Sequence, residues 1–412
     1  MSYKKSYRCT KCNKRFSADN ELLTCPDCLE KGILDIEYDY VKIKKVIDKD
    51  YFKKNQDFSI WRYLPLLPVE EKFTKNTLRV GWTPLYSSNY LKDKYNCKNL
   101  YLKDEGLNPT QSLKDRASVI ACVKALELIK EVISCSSTGN ASSSLAGNAS
   151  RLGLKTVIFV PKRAPLGKLS QLLAFGSNLI KVNGDYKSAY NLSKAAIEHY
   201  NWYNRNAAIN PNLIEGKKTV ALEIAEQLNF KPTDWVIVSV GDGCTIGGVY
   251  KGFYDLLNLD LIDKIPKIIG VQSAGCSPFY DAYHNNKELV ETEEDTIADS
   301  IAVGIPRNPI KGLEAVRKSN GTYIKVSDKK IMEAMLILGN NEGIFAEPAA
   351  AASLAGFIQA RENKIIKEED TVTVIITGNG LKDTKNALKA VKEPILLDSN
   401  LEDLIHYIEE RG

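Results

Sequence analysis

The chain of 412 residues contains only three histidines, and it has neither a long apolar run nor a long run of one charge. No apolar stretch reaches the roughly 20 residues of a membrane-spanning helix, so we expect no membrane partner. The net charge is +5, but no basic run is long enough for a nucleic-acid-binding arm, and no nucleic acid is expected as a partner. The polar N-terminus predicts no export signal and therefore a cytoplasmic protein. The histidines (His199, His284 and His406) lie outside every motif below, and none is assigned a catalytic role.

Four of the nine cysteines form two Cys-x-x-Cys pairs near the N-terminus, namely Cys9, Cys12, Cys25 and Cys28. In a reducing compartment this spacing predicts a tetrahedral zinc site, whereas disulfides would need an export signal. Four thiolates close the coordination sphere of zinc, so the predicted role is structural. We predict a zinc ribbon over residues 1–37 that is too small to fold without its metal.

The remaining chain has the composition of a globular protein and the alternating pattern of an α/β fold, with 44% apolar and 26% charged residues overall. Residues 38–100 are predicted as an extended, proline-bearing connector and the first part of a large domain. Residues 101–205 are predicted as a smaller α/β domain, and residues 206–412 as the rest of the large domain with C-terminal helices. Strands are predicted at 100–103, 132–135, 156–160, 179–182, 235–240, 268–271 and 371–376, with helical periods at 218–228 and 330–338. Apolar strands that alternate with helices predict parallel sheets covered on both faces.

One lysine stands in a context that favours chemistry. Lys114 follows Asn108-Pro109-Thr110-Gln111-Ser112-Leu113 and precedes a strongly apolar helix. A lysine amine becomes nucleophilic when burial or neighbouring cations lower its pKa. The chemistry that depends most on such an amine is imine formation with pyridoxal phosphate.

Three strand-to-helix junctions supply candidate parts. After the strand at 132–135, Ser137-Thr138-Gly139-Asn140-Ala141 offers hydroxyls and free amides that suit a substrate carboxylate, with Asn140 directed to the cofactor's ring oxygen. An ordinary Ser/Thr helix cap explains the same residues.

The other two junctions follow the strands at 235–240 and 371–376. Gly241-Asp242-Gly243-Cys244-Thr245 predicts a backbone cradle for the cofactor's phosphate, or else a tight turn, and Asp242 is expected to point away or to cap an amide. Thr377 ends the third strand, where a hydroxyl would meet the cofactor's ring nitrogen. All three junctions lie at the carboxyl ends of strands, where ligands of open α/β sheets bind.

At these residues the chain resembles threonine synthase, a fold-type II pyridoxal-phosphate enzyme similar to tryptophan synthase β. The resembling segments are residues 81–85, 103–110, 137–140, 165–169, 215–219, 347–350 and 377–383. The resemblance implies conversion of O-phosphohomoserine and water to threonine and phosphate, a small amino-acid substrate, and a homodimer. It assigns Lys114 to the cofactor imine and to proton transfer, and it places Ser137, Thr138 and Ala141 at the substrate carboxylate. Glu347 either brings a carboxylate near the ring or only starts a helix with Pro348.

The resemblance breaks where the family binds the substrate's own phosphate. Family members carry an Asn-Ser pair before an Asn-Pro turn and an arginine just after it. This chain has Ala207-Ala208-Ile209-Asn210-Pro211-Asn212-Leu213 there, so both polar residues and the arginine are gone. Arg205 or Lys218 is expected to compensate. Two other functions therefore stay open: a serine or threonine ammonia-lyase or β-replacement enzyme of the same fold, and a non-catalytic ligand-binding regulatory protein. Lys114 counts against the second, since binding alone does not need an amine.

Overall fold

The computed structural model describes residues 3–164, 166–206, 208–391 and 393–409, and it leaves the side chains of residues 166–168 undescribed. Pro165 and the side chains of 166–168 belong to one segment of the sequence resemblance, and Ala207 belongs to the position where that resemblance breaks. These parts of the sequence interpretation lie outside the described residues.

The described chain forms three sheets with helices packed around two of them. The strands are β1 (Lys4–Cys9), β2 (Arg15–Ser17), β3 (Thr24–Cys25), β4 (Leu29–Tyr38), β5 (Leu85–Ser87), β6 (Asn99–Asp104), β7 (Val132–Ser136), β8 (Lys155–Pro161), β9 (Asn178–Val182), β10 (Tyr203–Asn204), β11 (Trp235–Ser239), β12 (Lys267–Ser273), β13 (Thr322–Val326) and β14 (Thr371–Ile376). The helices are α1 (Tyr40–Ile43), α2 (Lys49–Lys54), α3 (Asn89–Lys94), α4 (Lys114–Glu127), α5 (Asn140–Arg151), α6 (Leu166–Ala174), α7 (Tyr186–His199), α8 (Asn212–Gln227), α9 (Cys244–Asn258), α10 (Pro278–His284), α11 (Pro309–Lys318), α12 (Asp328–Glu342), α13 (Pro348–Glu362), α14 (Thr384–Leu388) and α15 (Leu401–Glu409).

The largest sheet has the strand order β13-β12-β11-β14-β6-β5 and is parallel except for its edge strand β5. The central strands β11 and β14 are continuous apolar runs and are almost entirely buried, as expected for a parallel sheet covered on both faces. The prediction of parallel sheets is therefore confirmed for the core and corrected at β5, which pairs antiparallel with β6.

The smaller sheet has the order β10-β7-β8-β9, with all strands parallel. All seven predicted strands are present, while β5, β10 and β13 were not predicted. The predicted domain boundary at residue 101 is wrong, because it falls within β6, which pairs with β14 in the larger sheet. Local pattern identifies a strand but not the sheet that it joins.

The N-terminal residues form a small antiparallel sheet, β2-β1-β4-β3, that packs on the large domain. Tyr7, Leu34 and Ile36 of this sheet share one buried cluster with Val249 and Phe253 of α9. The Lys311 amine of α11 donates to the Leu34 carbonyl at 2.7 Å. The apolar core of the N-terminal sheet therefore includes side chains of α9 in the large domain.

The connector contains a 3-10 helix at Ile60–Leu66, so the prediction of an extended segment is wrong there. The Ser59 hydroxyl caps it by accepting from the Trp61 amide at 3.2 Å. The buried Arg62 guanidinium binds the Glu226 carboxylate of α8 at 2.7 Å. This long-range ion pair, which local proline content does not reveal, fixes the turn.

None of the helices in the described ranges is long and apolar enough to cross a membrane.

Candidate active site

Lys114 is the first residue of α4, and a buried aspartate shapes the loop before it. The Asp115 carboxylate accepts from the Thr110 amide and hydroxyl, both at 2.7 Å, and from the Asn148 side chain of α5 at 2.8 Å. Burial raises the pKa of Asp115 to about 6, against the effect of these hydrogen bonds. Lys114 therefore follows an ordered loop, and the Asp115 carboxylate binds that loop to α5.

The same loop is paired with the segment that follows β14. The Leu113 amide donates to the Thr377 carbonyl at 2.9 Å, and the Asn379 amide donates to the Gln111 carbonyl at 3.1 Å. Lys114 and the third junction, which were predicted separately, meet at one edge of the larger sheet.

The environment of the Lys114 amine favours its neutral form. The side chain is half-buried, and its amine makes no hydrogen bond or ion pair within the described part of the chain. Burial lowers the pKa of Lys114, the Glu347 carboxylate opposes this, and the Arg205 cation adds to it. A neutral amine with no competing partner is the form that attacks a carbonyl carbon.

A buried ion network holds α4 in place beneath the lysine. The Arg116 guanidinium binds Glu105 at 2.6 Å and Glu223 of α8 at 2.6 Å, and the Lys103 amine binds Glu223 at 2.8 Å. All four side chains are fully buried. Losing one member would leave an unpaired buried charge, so the network fixes the orientation of α4 against α8.

The first junction turns from β7 into α5 with open space beside it. The Ser137 hydroxyl accepts from the Gly139 amide at 3.2 Å, and a side chain added at Gly139 would meet nothing within 4 Å. Thr138, Gly139 and Asn140 line a cavity of about 220 Å³. This cleft has the polar hydroxyls and amides expected of a carboxylate subsite. Ala141 follows within the first turn of α5.

The second junction has free backbone amides at the start of α9. The amides of residues 242–246 donate no hydrogen bond within the described chain. Gly243 adopts φ of 84°, and a Cβ there would lie 2.6 Å from the Asn308 carbonyl oxygen. A Cβ at Gly241 would lie 3.1 Å from Val303. Unpaired amides on a close-packed glycine turn, which continues through Cys244 and Thr245, form a cradle suited to a phosphate.

Asp242 points away from this cradle, as predicted. Its carboxylate accepts from the Arg307 amide at 3.2 Å, and its carbonyl accepts from the Asn308 amide at 3.1 Å. The Asp242 carboxylate therefore stabilises the glycine turn through its bond to the Arg307 amide.

Glu347 joins the first and third junctions, and the sequence left its role open. Its carboxylate accepts from the Asn140 amide group at 2.9 Å, and its own amide donates to the Gly378 carbonyl at 3.1 Å. It precedes Pro348 at the start of α13 but makes no side-chain cap bond. Burial raises the pKa of Glu347 to about 6, while Asn140 and Lys114 oppose that shift. Both readings hold: Glu347 starts a helix and directs its carboxylate into the cleft.

The Thr377 hydroxyl lies at the end of β14, 3.4 Å from the Ser239 hydroxyl of β11. A Cβ at the following residue, Gly378, would lie 2.6 Å from the Glu347 carboxylate oxygen. Residue 378 must therefore be glycine for the backbone to approach the Glu347 carboxylate this closely. The Thr377 hydroxyl lies near the ends of β14 and β11, where the ring nitrogen of the cofactor was predicted.

The sequence interpretation assigned no role to Lys382 or Lys217. The Lys382 amine donates to the Ser143 hydroxyl at 2.9 Å and to Gln171 at 2.6 Å, and Lys382 lines the 220 Å³ cavity. Lys217 of α8 is buried, and Lys114 and Asp242 are among the charges that influence its amine. A resembling segment contains each of them, at 377–383 and 215–219, but motif position alone does not reveal where a side chain points.

The expectation that Lys218 compensates for the missing phosphate ligands is wrong. Its amine is engaged by the carboxylates of Glu215 and Asp255 in a buried cluster. Arg205 is also buried, but its guanidinium bonds to the hydroxyl of Ser118 at 2.9 Å and is paired with no carboxylate in the described residues.

The four ribbon cysteines meet at one point, with all Sγ atoms within 4.8 Å of one another. Cys9 is the last residue of β1 and Cys25 the last of β3, Cys12 and Cys28 lie in the turns that follow, and none of the four forms a disulfide. A Cβ at Gly32 would lie 2.5 Å from the Cys25 Cβ. Four convergent thiols packed against glycine are the donor set of a structural zinc site.

Comparison with known proteins agrees with this arrangement. The family model described as pyridoxal-phosphate dependent enzyme matches residues 77–378. A threonine synthase of Methanocaldococcus jannaschii is 38% identical, over 98% of this chain and 99% of the relative. A threonine synthase of Methanosarcina acetivorans is 37% identical over 96% of each chain.

Solved structures agree on the fold alone. Diaminopropionate ammonia lyase from Escherichia coli superposes with a TM-score of 0.66 at 22% identity, covering 84% of this chain and 96% of that one. Maize serine racemase gives a TM-score of 0.63 at 22% identity, covering 80% and 93%.

Proposed function

Because this chain belongs to the pyridoxal-phosphate-dependent enzymes and, within them, to the threonine synthase family, we propose that it converts O-phosphohomoserine and water to threonine and phosphate. The observation that carries this proposal is the 38% identity to a threonine synthase across nearly the whole of both chains. The meeting of the lysine loop with the segment after β14 supports it independently.

The residues present fit the cofactor. The free amides of residues 242–246 would hold its phosphate, the Thr377 hydroxyl would meet its ring nitrogen, and Asn140 would meet its ring oxygen. Lys114 would bind its aldehyde carbon. When bound, pyridoxal phosphate supplies an electron-withdrawing ring that stabilises negative charge next to the substrate's amino carbon.

The chain's own contribution is to bind, orient and move protons. The Lys114 amine, with its pKa lowered by burial, accepts a proton at Nζ and returns it. The hydroxyls and amides of Ser137, Thr138 and Ala141 orient the substrate carboxylate at the start of α5. Glu347 holds the Asn140 side chain in one orientation through its hydrogen bond.

A second candidate, a serine or threonine ammonia-lyase or β-replacement enzyme, is favoured by one observation. The segment 207–213 lacks the polar residues and the arginine that family members carry there for the substrate's phosphate. A substrate with a hydroxyl or acetyl leaving group would not need those ligands. A non-catalytic binding protein is disfavoured by Lys114, since binding alone does not need an amine.

The two enzymes are separated by their products. The holoenzyme is incubated with O-phosphohomoserine, and separately with serine and with threonine. We expect phosphate and threonine to appear at equal rates from the first substrate. Ammonia and an oxo acid from serine or threonine, without phosphate release from O-phosphohomoserine, would show that the protein is an ammonia-lyase and not a threonine synthase.

We also propose that Cys9, Cys12, Cys25 and Cys28 hold one structural zinc ion in a homodimeric, cytoplasmic enzyme. The convergence of the four thiols supports the metal, and nine free cysteines are compatible with a reducing compartment. The homodimer rests on the family resemblance.

Metal analysis tests the zinc site. Protein purified without chelator should contain about one zinc per chain. The double variant Cys12→Ser/Cys28→Ser should lose it, whereas Cys97→Ser/Cys276→Ser, with the same chemical change at two buried cysteines elsewhere, should retain it. Zinc that is absent from the unmodified protein, or retained by the first variant, would contradict the proposal.

A further inference from the structure

Lys217 is a buried lysine without a partner. Its side chain is 2% exposed, and its amine makes no hydrogen bond or ion pair with any residue that the structure describes. Burial, with the cations of Lys114 and Arg205 adding to it and Cys244 opposing it, lowers the pKa of Lys217 to about 8. An unpaired ammonium in such a place costs free energy of folding, and other buried lysines of this chain are paired with carboxylates or carbonyls.

The direction of the side chain can be read from its neighbours. The Lys217 Cβ would be 3.0 Å from a Cβ added at Gly248 in the second turn of α9. The groups that influence its amine are Cys244 and Asp242 at the start of that helix, together with Lys114. The lysine therefore runs along α9 toward the cofactor lysine and the glycine turn.

Arg205 adds a second cation to the same place. Its guanidinium is fully buried, hydrogen-bonds only to serine hydroxyls among the described side chains, and influences the amines of both Lys114 and Lys217. Lys217 and Arg205 thus lie near each other, and neither is paired with a carboxylate within the described residues; the Asp242 carboxylate, which also influences the Lys217 amine, accepts from the Arg307 amide. This excess of positive charge favours the binding of an anion that carries more than one negative charge.

We propose that Lys217, supported by the field of Arg205, binds the phosphate group of the amino-acid substrate and makes this chain selective for a phosphorylated substrate. This inference rests on the proposed function and names a specificity-determining residue for it. It replaces Lys218, whose amine is taken by Glu215 and Asp255.

The cofactor's phosphate is a weaker candidate for this lysine. That phosphate already has the free amides of residues 242–246. Lys217 also follows, within α8, the segment 207–213, in which the resembling family carries ligands for the substrate's phosphate.

The test uses inorganic phosphate as the probe and the holoenzyme as the protein. Phosphate is titrated against the absorbance of the bound cofactor in the unmodified protein, Lys217→Gln, Lys217→Arg and Lys231→Gln. Loss of a charge-assisted contact should weaken phosphate binding by about tenfold to a hundredfold in Lys217→Gln. Lys217→Arg should retain much of the affinity, and the exposed control Lys231→Gln should equal the unmodified protein.

A second titration identifies which phosphate is bound. Each apoprotein is titrated with pyridoxal phosphate and with pyridoxal, which lacks the phosphate. We expect Lys217→Gln to bind both as the unmodified protein does. If it instead loses affinity only for pyridoxal phosphate, Lys217 serves the cofactor and the inference is overturned. Unchanged affinity for inorganic phosphate in Lys217→Gln also overturns it.

Urea unfolding and phosphate release provide two further tests. Lys217→Met should unfold at the same or a higher urea concentration, because it removes an unpaired buried charge; a lower midpoint would show a structural role and contradict the inference. The phosphate titration needs no turnover. A protein that releases no phosphate from O-phosphohomoserine, yet binds inorganic phosphate through Lys217, would defeat the proposed reaction and support the anion subsite.

Discussion

Replacing Lys114 by alanine should lower the turnover rate by more than about 10³-fold, because it removes the amine that would both hold the cofactor and move a proton. The absorbance band of the lysine-bound cofactor should disappear at the same time. Lys114→Arg should restore neither signal, because a guanidinium stays protonated at neutral pH. The measurements are steady-state rates and the absorbance spectrum of protein reconstituted with pyridoxal phosphate.

The exposed variant Lys155→Ala provides the control. It removes the same functional group from the chain and should keep both the band and the rate. Stability distinguishes a chemical loss from misfolding. The Lys114 amine has no hydrogen bond to any described residue, so Lys114→Ala should unfold near the urea midpoint of the unmodified protein. An alanine variant that keeps the band and turns over at a normal rate would remove Lys114 from the mechanism.

Gly243→Ala should weaken the binding of pyridoxal phosphate by about a hundredfold or more, since displaced amides lose charge-assisted hydrogen bonds. The reason is steric and conformational. The residue has φ of 84°, and an added Cβ would lie 2.6 Å from the Asn308 carbonyl oxygen and 2.7 Å from the Phe279 ring. The loop must shift to admit the methyl group, and its amides then leave their positions. Titration of the apoprotein with the cofactor measures the effect.

Gly153→Ala is the matched control for that change. Gly153 also has a positive φ, 71°, but an added Cβ there meets nothing within 4 Å. Its conformational cost is about 1–2 kcal/mol in the urea unfolding free energy, with no change in cofactor affinity. If the two variants bind the cofactor equally well, close packing of the glycine turn is not what forms the phosphate cradle.

Much of the site was predictable because its parts are local. Glycine turns after apolar strands, a cysteine pair repeated at close spacing and a lysine at a helix start each depend on a few neighbouring residues. The seven predicted strands and the direction of Asp242 were confirmed for this reason. The α/β class likewise follows from the alternation of apolar strands with helices.

The sequence by itself determined the fold class, the position of Lys114 and the three glycine-bearing junctions, because period and backbone conformation are properties of short segments. Only the tertiary structure decided that Glu347 binds Asn140, that β6 joins the larger sheet and that the Lys218 amine, unlike that of Lys217, is paired with carboxylates of the described residues. Adjacent residues of a helix point about 100° apart, so which lysine is paired depends on how α8 packs against α9. That packing is set by residues far away in the chain, and no short motif contains it.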